Sequence, residues 1–180
     1  MGNFRSPQFW RRCDLLEQSI CLRINDTSRH VAVHRFFFVI SRLGDGAFWY
    51  LLMAVFAVSA ANGPQITAQM AATGLAGLVI YKQLKVRLVR ERPYISHARI
   101  LLGSAPLDRY SFPSGHTLYA VTFSIIAVAH LPGLAVVLVP LTLLIATSRV
   151  VLGLHYPTDV MAGAAIGAAL ASASLSIWPS

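Results

Sequence analysis

The chain has 180 residues, of which 56% are hydrophobic and 12% charged, and it carries a formal net charge of +8. With a positive mean hydropathy and so few charges it is too apolar for an ordinary water-soluble domain, and its two cysteines define neither a disulfide framework nor a metal site. The charges are also segregated. Asp, Glu, Lys and Arg are absent from Gly46 to Tyr81, from Tyr110 to Ser148 and from Val160 to the C-terminus, and a bilayer needs about 20 apolar residues for each helical crossing.

In chain order, the opening M-G-N-F-R-S fits the loose pattern for N-myristoylation and weighs as a chance match. Phe9, Cys13, Leu16, Ile20 and Ile24 then recur at helical spacing, with Arg11, Arg12, Glu17 and Arg23 on other faces, which predicts an amphipathic helix lying on the membrane. No uninterrupted apolar core precedes a small-residue cleavage site, so the segment does not read as a signal peptide. Cys13 and Cys21 take no function. Five spans follow: Ala47 to Ala61, Gln69 to Leu88, Ser114 to Leu131, Gly133 to Leu152 and Thr158 to Trp178, divided at Asn62-Gly63-Pro64 and Pro132-Gly133. The first is short and can borrow from Phe36 to Leu43 across the Gly44-Asp45-Gly46 break. Gly163 and Gly167 form a G-x-x-x-G, which predicts close helix packing in the last span. The expected fold is all-α, a polytopic membrane helical bundle of five or six transmembrane helices, with an amphipathic region over residues 1–45 and a transmembrane domain over 46–180.

Three polar clusters interrupt the apolar tracts. In Y-K-Q-L-K-V-R-L-V-R-E-R-P, Lys85 and Arg92 are seven residues apart, which on one helix returns them to nearly the same face about 10 Å apart, with Pro93 as the stop. Taken alone this is a juxtamembrane basic cluster that touches headgroups. In S-F-P-S-G-H, Pro113 suits a first helical turn, and the backbone N–H groups of Ser114, Gly115 and His116 would face an anion; the bland alternative is an ordinary cap with an incidental histidine. In S-R-V-V-L-G-L-H-Y-P-T-D, Arg149 ends a span, Gly153 allows a turn and Pro157 starts the next helix. His155 then falls in a loop with Asp159 about one turn further on, a spacing that lets the carboxylate accept an imidazole N–H and leaves the other nitrogen free to attack. Alternatively Asp159 is only a charge favoured by the helix dipole. All three clusters emerge on one membrane face, whereas the opposite loops, Asn62 to Thr67 and Leu131 to Gly133, carry no charge. Cations, histidines and a carboxylate converging beside helix N-termini make a phosphate site suited to phosphoryl transfer.

K-V-R-L-V-R-E-R-P, P-S-G-H and S-R-V-V-L-G-L-H-Y-P-T-D match in order the three-part signature of the type 2 phosphatidic acid phosphatase family, lipid phosphatases related to vanadium haloperoxidases. The resemblance covers about Lys85 to Asp159. It implies that residues 46–180 form a transmembrane phosphatase domain and that Lys85, Arg92 and Arg149 hold phosphate oxygens, helped by Ser114 and the backbone of Gly115. It also implies that His155 attacks phosphorus to form a phosphohistidine, that Asp159 orients it, and that His116 protonates the leaving oxygen and then activates water. Neither a metal nor another cofactor is called for, because the cations neutralise the charge.

A catalytic face at the bilayer surface favours substrates whose tails stay in lipid. The small loops look similar to bacterial members that recycle undecaprenyl diphosphate, ranked ahead of phosphatidic acid and phosphatidylglycerol phosphate. A vanadate haloperoxidase, or a transporter or channel that binds lipid phosphate without turnover, are the rival readings. The partner expected is a membrane lipid, with no nucleic acid and no obligatory protein partner. The expected location is the bacterial inner membrane. Two arguments collide on orientation: the resemblance puts the active site outside the cytoplasm, while the many arginines near the catalytic face put that face inside by the positive-inside rule.

Overall fold

The computed structural model describes residues 7–59, 61–106 and 108–178, with side chains from Leu15 onward apart from Leu16. The myristoylation pattern and the side chains of Phe9, Arg11, Arg12, Cys13 and Leu16 lie outside the described residues. Helices α1 (Pro7–Asp26), α2 (Val31–Leu43), α3 (Gly46–Ser59), α4 (Gly63–Arg87), α5 (Pro93–Ser96), α6 (Gly115–His130), α7 (Ala135–Val151) and α8 (Pro157–Ile177) make the described fold all-helical. An isolated bridge between Glu91 and Tyr110 is its only extended pairing among the described residues.

Proline sets several of the starts. Pro64 sits in the first turn of α4 and Pro157 opens α8, where the missing N–H leaves no bond unmade. Pro113 does not open α6 as expected: the cap is Ser114 in extended conformation, and the helix begins at Gly115. The Ser114 N–H donates to the Asp159 carbonyl at 3.0 Å, a tie to α8 that holds this residue out of the helix.

Two helical stretches, Pro132–Val151 and Pro157–Ile177, are each long and apolar enough to cross a membrane, and α2 with α3 meets the same test as a pair bent by 48° at Gly44-Asp45. Taken together the two helices have the length and apolarity that the borrowing expected across that break requires. Trp49, Met53 and Phe56 of α3, Ile66 and Met70 of α4, Phe123 and Ile126 of α6 and Leu138 and Ile145 of α7 form the shared core. Outside it, Tyr50, Leu51, Val58, Leu75, Val136, Val137 and Met161 are exposed, the pattern of a protein whose surroundings are apolar. A Cβ on Gly163 would lie 2.5 Å from the Ser114 carbonyl, and one on Gly167 would lie 2.5 Å from that of Leu118. The G-x-x-x-G thus packs α8 directly on the backbone of α6.

Helix α1 departs from a simple interfacial helix. It buries Glu17, Cys21 and Asn25 against the body of the protein, while Leu15 and Ile20 face outward. Asn25 supplies the reason: its amide donates to the carbonyls of Leu101 and Val151, both at 2.9 Å, and accepts from the Leu101 N–H at 2.7 Å. The Val151 carbonyl belongs to the last turn of α7, where helical partners run out.

Candidate active site

The site is assembled where α4 and α7 end and α6 and α8 begin. Helix α4 stops at Arg87, six residues before Pro93, so Lys85 and Arg92 do not share a helix face as expected. The chain is drawn out instead: the Ser111 N–H bonds the Arg90 carbonyl at 2.8 Å, and Glu91 bridges Tyr110. The two cations still converge, through a residue that spacing could not reveal. Asp108 Oδ1 accepts from Lys85 Nζ at 2.5 Å and from Arg92 Nη2 at 2.8 Å, and Tyr81 donates to its Oδ2 at 2.5 Å. Burial pulls the Asp108 carboxyl upward, but the Lys85 and Tyr81 hydrogen bonds and the charges of Lys85 and Arg92 outweigh it and hold the group at about 2. It is ionised at any ordinary pH.

The turn after α7 carries His155. Gly153 adopts φ +70°, and a Cβ there would stand 2.6 Å from the Leu101 carbonyl, so both the turn and the close approach call for glycine. The Leu154 and His155 N–H groups then donate to the Arg149 carbonyl at 3.0 and 3.1 Å, which anchors the histidine to the arginine beside it. An Arg92 N–H reaches His155 Nε2 at 3.3 Å, so Nε2 carries the lone pair and Nδ1 the proton. Burial first, and then the charges of Arg92, Arg149 and Lys85, push the His155 imidazole well below the ordinary 6.5. It is a neutral base held among cations.

Asp159 is placed as expected but used differently. Its Oδ2 accepts from the Tyr156 N–H at 2.9 Å and its Oδ1 from Arg90 Nη1 at 2.6 Å. His155 Nδ1 is 3.6 Å from Oδ2, beyond a hydrogen bond, and has no hydrogen-bond partner. The expected imidazole–carboxylate bond is thus an electrostatic contact, because the N–H of Tyr156, the cap of α8, and Arg90 take the carboxylate first. Arg90 itself is buried, lies over the Tyr156 ring at 4.0 Å and reaches Glu17 at 3.2 Å. Glu17 in turn accepts from the Thr158 N–H at 3.0 Å and hydroxyl at 2.7 Å.

Ser114 does not present its N–H to an anion, since Asp159 takes it, and its hydroxyl pairs with Thr117 at 3.0 Å. A Cβ on Gly115 would meet the Tyr81 ring at 2.8 Å, so packing against α4 already favours glycine there. Helix α6 turns His116 toward the α2–α3 bend, where Nε2–H donates to Asp45 Oδ1 at 2.7 Å. Arg149 Nη1 donates to Ser41. Arg149 Nε is buried with no hydrogen-bond partner. A small polar recess lined by Ser41, Asp45, Ser104, His116 and Arg149 opens here, whereas an apolar cavity of about 240 Å³ bounded by Leu52, Phe56, Ile66 and Leu131 lies at the other end of the bundle.

The structure therefore gathers all eight residues singled out from the sequence at one end. It adds Glu17, Ser41, Asp45, Arg90 and Asp108. Arg90 stands inside the basic run and Asp108 three residues before the S-F-P-S-G-H stretch, but neither position has a spacing that marks it. Among the described residues no group of three or more His, Cys, Asp or Glu side chains is arranged to hold a metal ion.

The sequence model of the PAP2 superfamily matches residues 65–179. Over 115 residues the chain is 31% identical to the undecaprenyl-diphosphatase BcrC of Bacillus subtilis, a match covering 64% of this chain and 59% of that protein. Over 134 residues it is 33% identical to the decaprenylphosphoryl-5-phosphoribose phosphatase of Mycobacterium tuberculosis, covering 72% of this chain and 71% of that one. The crystal structure of Aquifex aeolicus LpxE superimposes with a TM-score of 0.78 at 27% identity, over 89% of this chain and 95% of that chain.

Proposed function

The chain belongs to the PAP2 superfamily, and on that premise we propose that it is an integral membrane lipid phosphatase working through a phosphohistidine on His155. One observation carries the reading: Arg149 Nε is buried without a partner beside a neutral imidazole whose Nε2 is unprotonated. An unsatisfied buried donor costs about 1–3 kcal/mol, a cost that a phosphate oxygen would remove. Lys85, Arg92 and Arg149 neutralise the phosphoryl oxygens, with the α6 N-terminus and the Ser114 hydroxyl on the other side. His155 Nε2 attacks phosphorus as the bond to the leaving oxygen breaks, and that oxygen takes a proton from His116. Water, deprotonated by His116, then breaks the P–N bond and releases phosphate. Asp159 stabilises the positive imidazole of the intermediate across the 3.6 Å contact.

For substrate, isoprenyl diphosphates come first: the relatives in Bacillus and Mycobacterium carry polyprenyl substrates in their names, and undecaprenyl diphosphate is the member of that class to test. We read five crossings, the bent pair α2–α3 followed by α4, α6, α7 and α8. The chain would lie in a bacterial inner membrane with the site at its outer surface. Of the cations that argued for the cytoplasm, Arg90 is buried in protein contacts and drops out of the count.

Detergent-purified protein tests this with undecaprenyl diphosphate and phosphatidic acid as substrates. His155→Ala should release no phosphate while eluting from a sizing column like the parent. Orthovanadate should inhibit the parent competitively, because it becomes five-coordinate around an imidazole nitrogen, and EDTA should leave the rate unchanged. Turnover above a few per cent in the variant sinks the mechanism, and binding without any phosphate release by the parent favours a transporter.

A further inference from the structure

The bend between α2 and α3 touches the site at several points. Ser41 accepts from Arg149. A Cβ on Gly44 would stand 3.1 Å from the ring carbon Cδ2 of His116, so the backbone of the bend comes close to that imidazole. Asp45 Oδ1 accepts from His116 Nε2 at 2.7 Å, while its Oδ2 takes Arg42 Nη1 at 3.1 Å. His116 is thereby fixed in ring position, in tautomer and in the nitrogen it presents, by groups from a segment outside the three signature clusters.

We infer that Asp45 is a positioning residue for His116, holding Nε2–H so that Nδ1 is the nitrogen that exchanges protons with substrate and water. The inference rests on the proposed function, in which His116 is the proton donor. In the first step the imidazolium gives its Nδ1 proton to the leaving oxygen as the P–O bond breaks and the N–P bond to His155 forms. Asp45 remains a carboxylate throughout and stabilises the charged imidazole. In the second step neutral His116 takes a proton at Nδ1 from the attacking water while the N–P bond breaks, which restores the starting state. The Arg42 contact occupies the second carboxylate oxygen and keeps the first one aimed at the ring.

A carboxylate that serves the proton donor matters in proportion to how much the leaving group needs the proton. The experiment compares Asp45→Asn with the parent on phosphatidic acid, whose leaving alkoxide is a strong base, and on 4-nitrophenyl phosphate, whose phenolate leaves unaided. The quantity is kcat/KM, which reports only steps through the first P–O cleavage. Asp45→Asn should lose about 10–100-fold on phosphatidic acid and less than about threefold on 4-nitrophenyl phosphate, since general acid catalysis supplies roughly 100-fold or more where it is needed. In the His116→Ala background the same substitution should cost nothing further on either substrate. An equal loss on both substrates would make Asp45 a phosphate-binding or purely structural residue and overturns the inference, as does no loss at all. If Asp45→Asn does not elute as a single species, Asp45→Ser is read by the same criterion. A parent enzyme that cleaves neither substrate nor undecaprenyl diphosphate defeats the proposed function itself, and this inference with it.

Discussion

Arg149 and His155 show how the site is paid for in stability and what it receives in return. The arginine keeps one buried nitrogen unbonded, and the histidine keeps Nδ1 without a hydrogen bond at 2% exposure. Neither arrangement helps the resting protein fold, and local rules are broken in this way at functional or strained sites. The histidine also makes stability depend on pH. Its pKa in the folded protein is pushed well below the ordinary 6.5, first by burial and then by Arg92 and Arg149. As pH falls below about 6.5 the unfolded chain therefore binds a proton that the folded protein refuses, and stability is lost at up to about 1.4 kcal/mol per pH unit for this group. Above that pH the group contributes nothing to the slope. The thermal midpoint of purified protein should thus drop between pH 7 and pH 5, and His155→Gln should flatten that drop. Identical pH dependence in the two proteins would mean that the imidazole is not held neutral.

At the scale of elements, the relative placement of helices does the positioning. Helix α8 carries Asp159 and helix α6 carries His116, and the two are clamped at Gly163 and Gly167 against the carbonyls of Ser114 and Leu118. Gly163→Ala would force its Cβ to 2.5 Å from the Ser114 oxygen, so α6 must slide or tilt at the end where the site is built. Overpacking of this kind costs about 1–3 kcal/mol, and small displacements of reacting groups can cost about 100-fold in rate. We expect a lower thermal midpoint together with at least about a tenfold slower phosphate release. Gly133→Ala, where a Cβ meets nothing within 4 Å, is the matched control and should be silent in both. Helix α1 acts through a different device. Glu17 and Asn25 make polar contacts to Arg90, Thr158, Leu101 and Val151, so this helix is latched to the ends of α7 and α8 and to the segments around Arg90 and Leu101, with Leu15 and Ile20 left outward.

For the molecule as a whole, the two ends of the bundle differ in kind. The end bearing α1, α5 and the His155 turn holds the buried cations, while the end near Gly63 and Leu131 borders an apolar cavity. Asn62→Cys and Ser96→Cys, each the single cysteine in a chain with Cys13 and Cys21 replaced by serine, stand at exposed positions and should be reached by a membrane-impermeant maleimide from opposite sides. In intact cells Ser96→Cys should label and Asn62→Cys should label only after permeabilisation. The reverse pattern would put the catalytic face in the cytoplasm, as the positive-inside rule has it.

Class, the breaks between helices and the three polar clusters that the bundle brings to one end were legible in the sequence alone, because each is a local property: a charge-free tract, a proline or glycine between tracts, a short run with fixed spacing. The bend at Gly44-Asp45 and the close packing at Gly163 and Gly167 could be read the same way. What only the tertiary structure decided is who partners whom. Asp159 turned to Arg90 and the Tyr156 N–H, Asp108 joined Lys85 to Arg92, and Asp45 reached His116 across 71 positions of chain. A lone carboxylate in a loop has no period and no neighbour in sequence to mark it. Its role is set by which buried cation or imidazole the packing of helices brings within 3 Å, and that follows from the whole bundle at once.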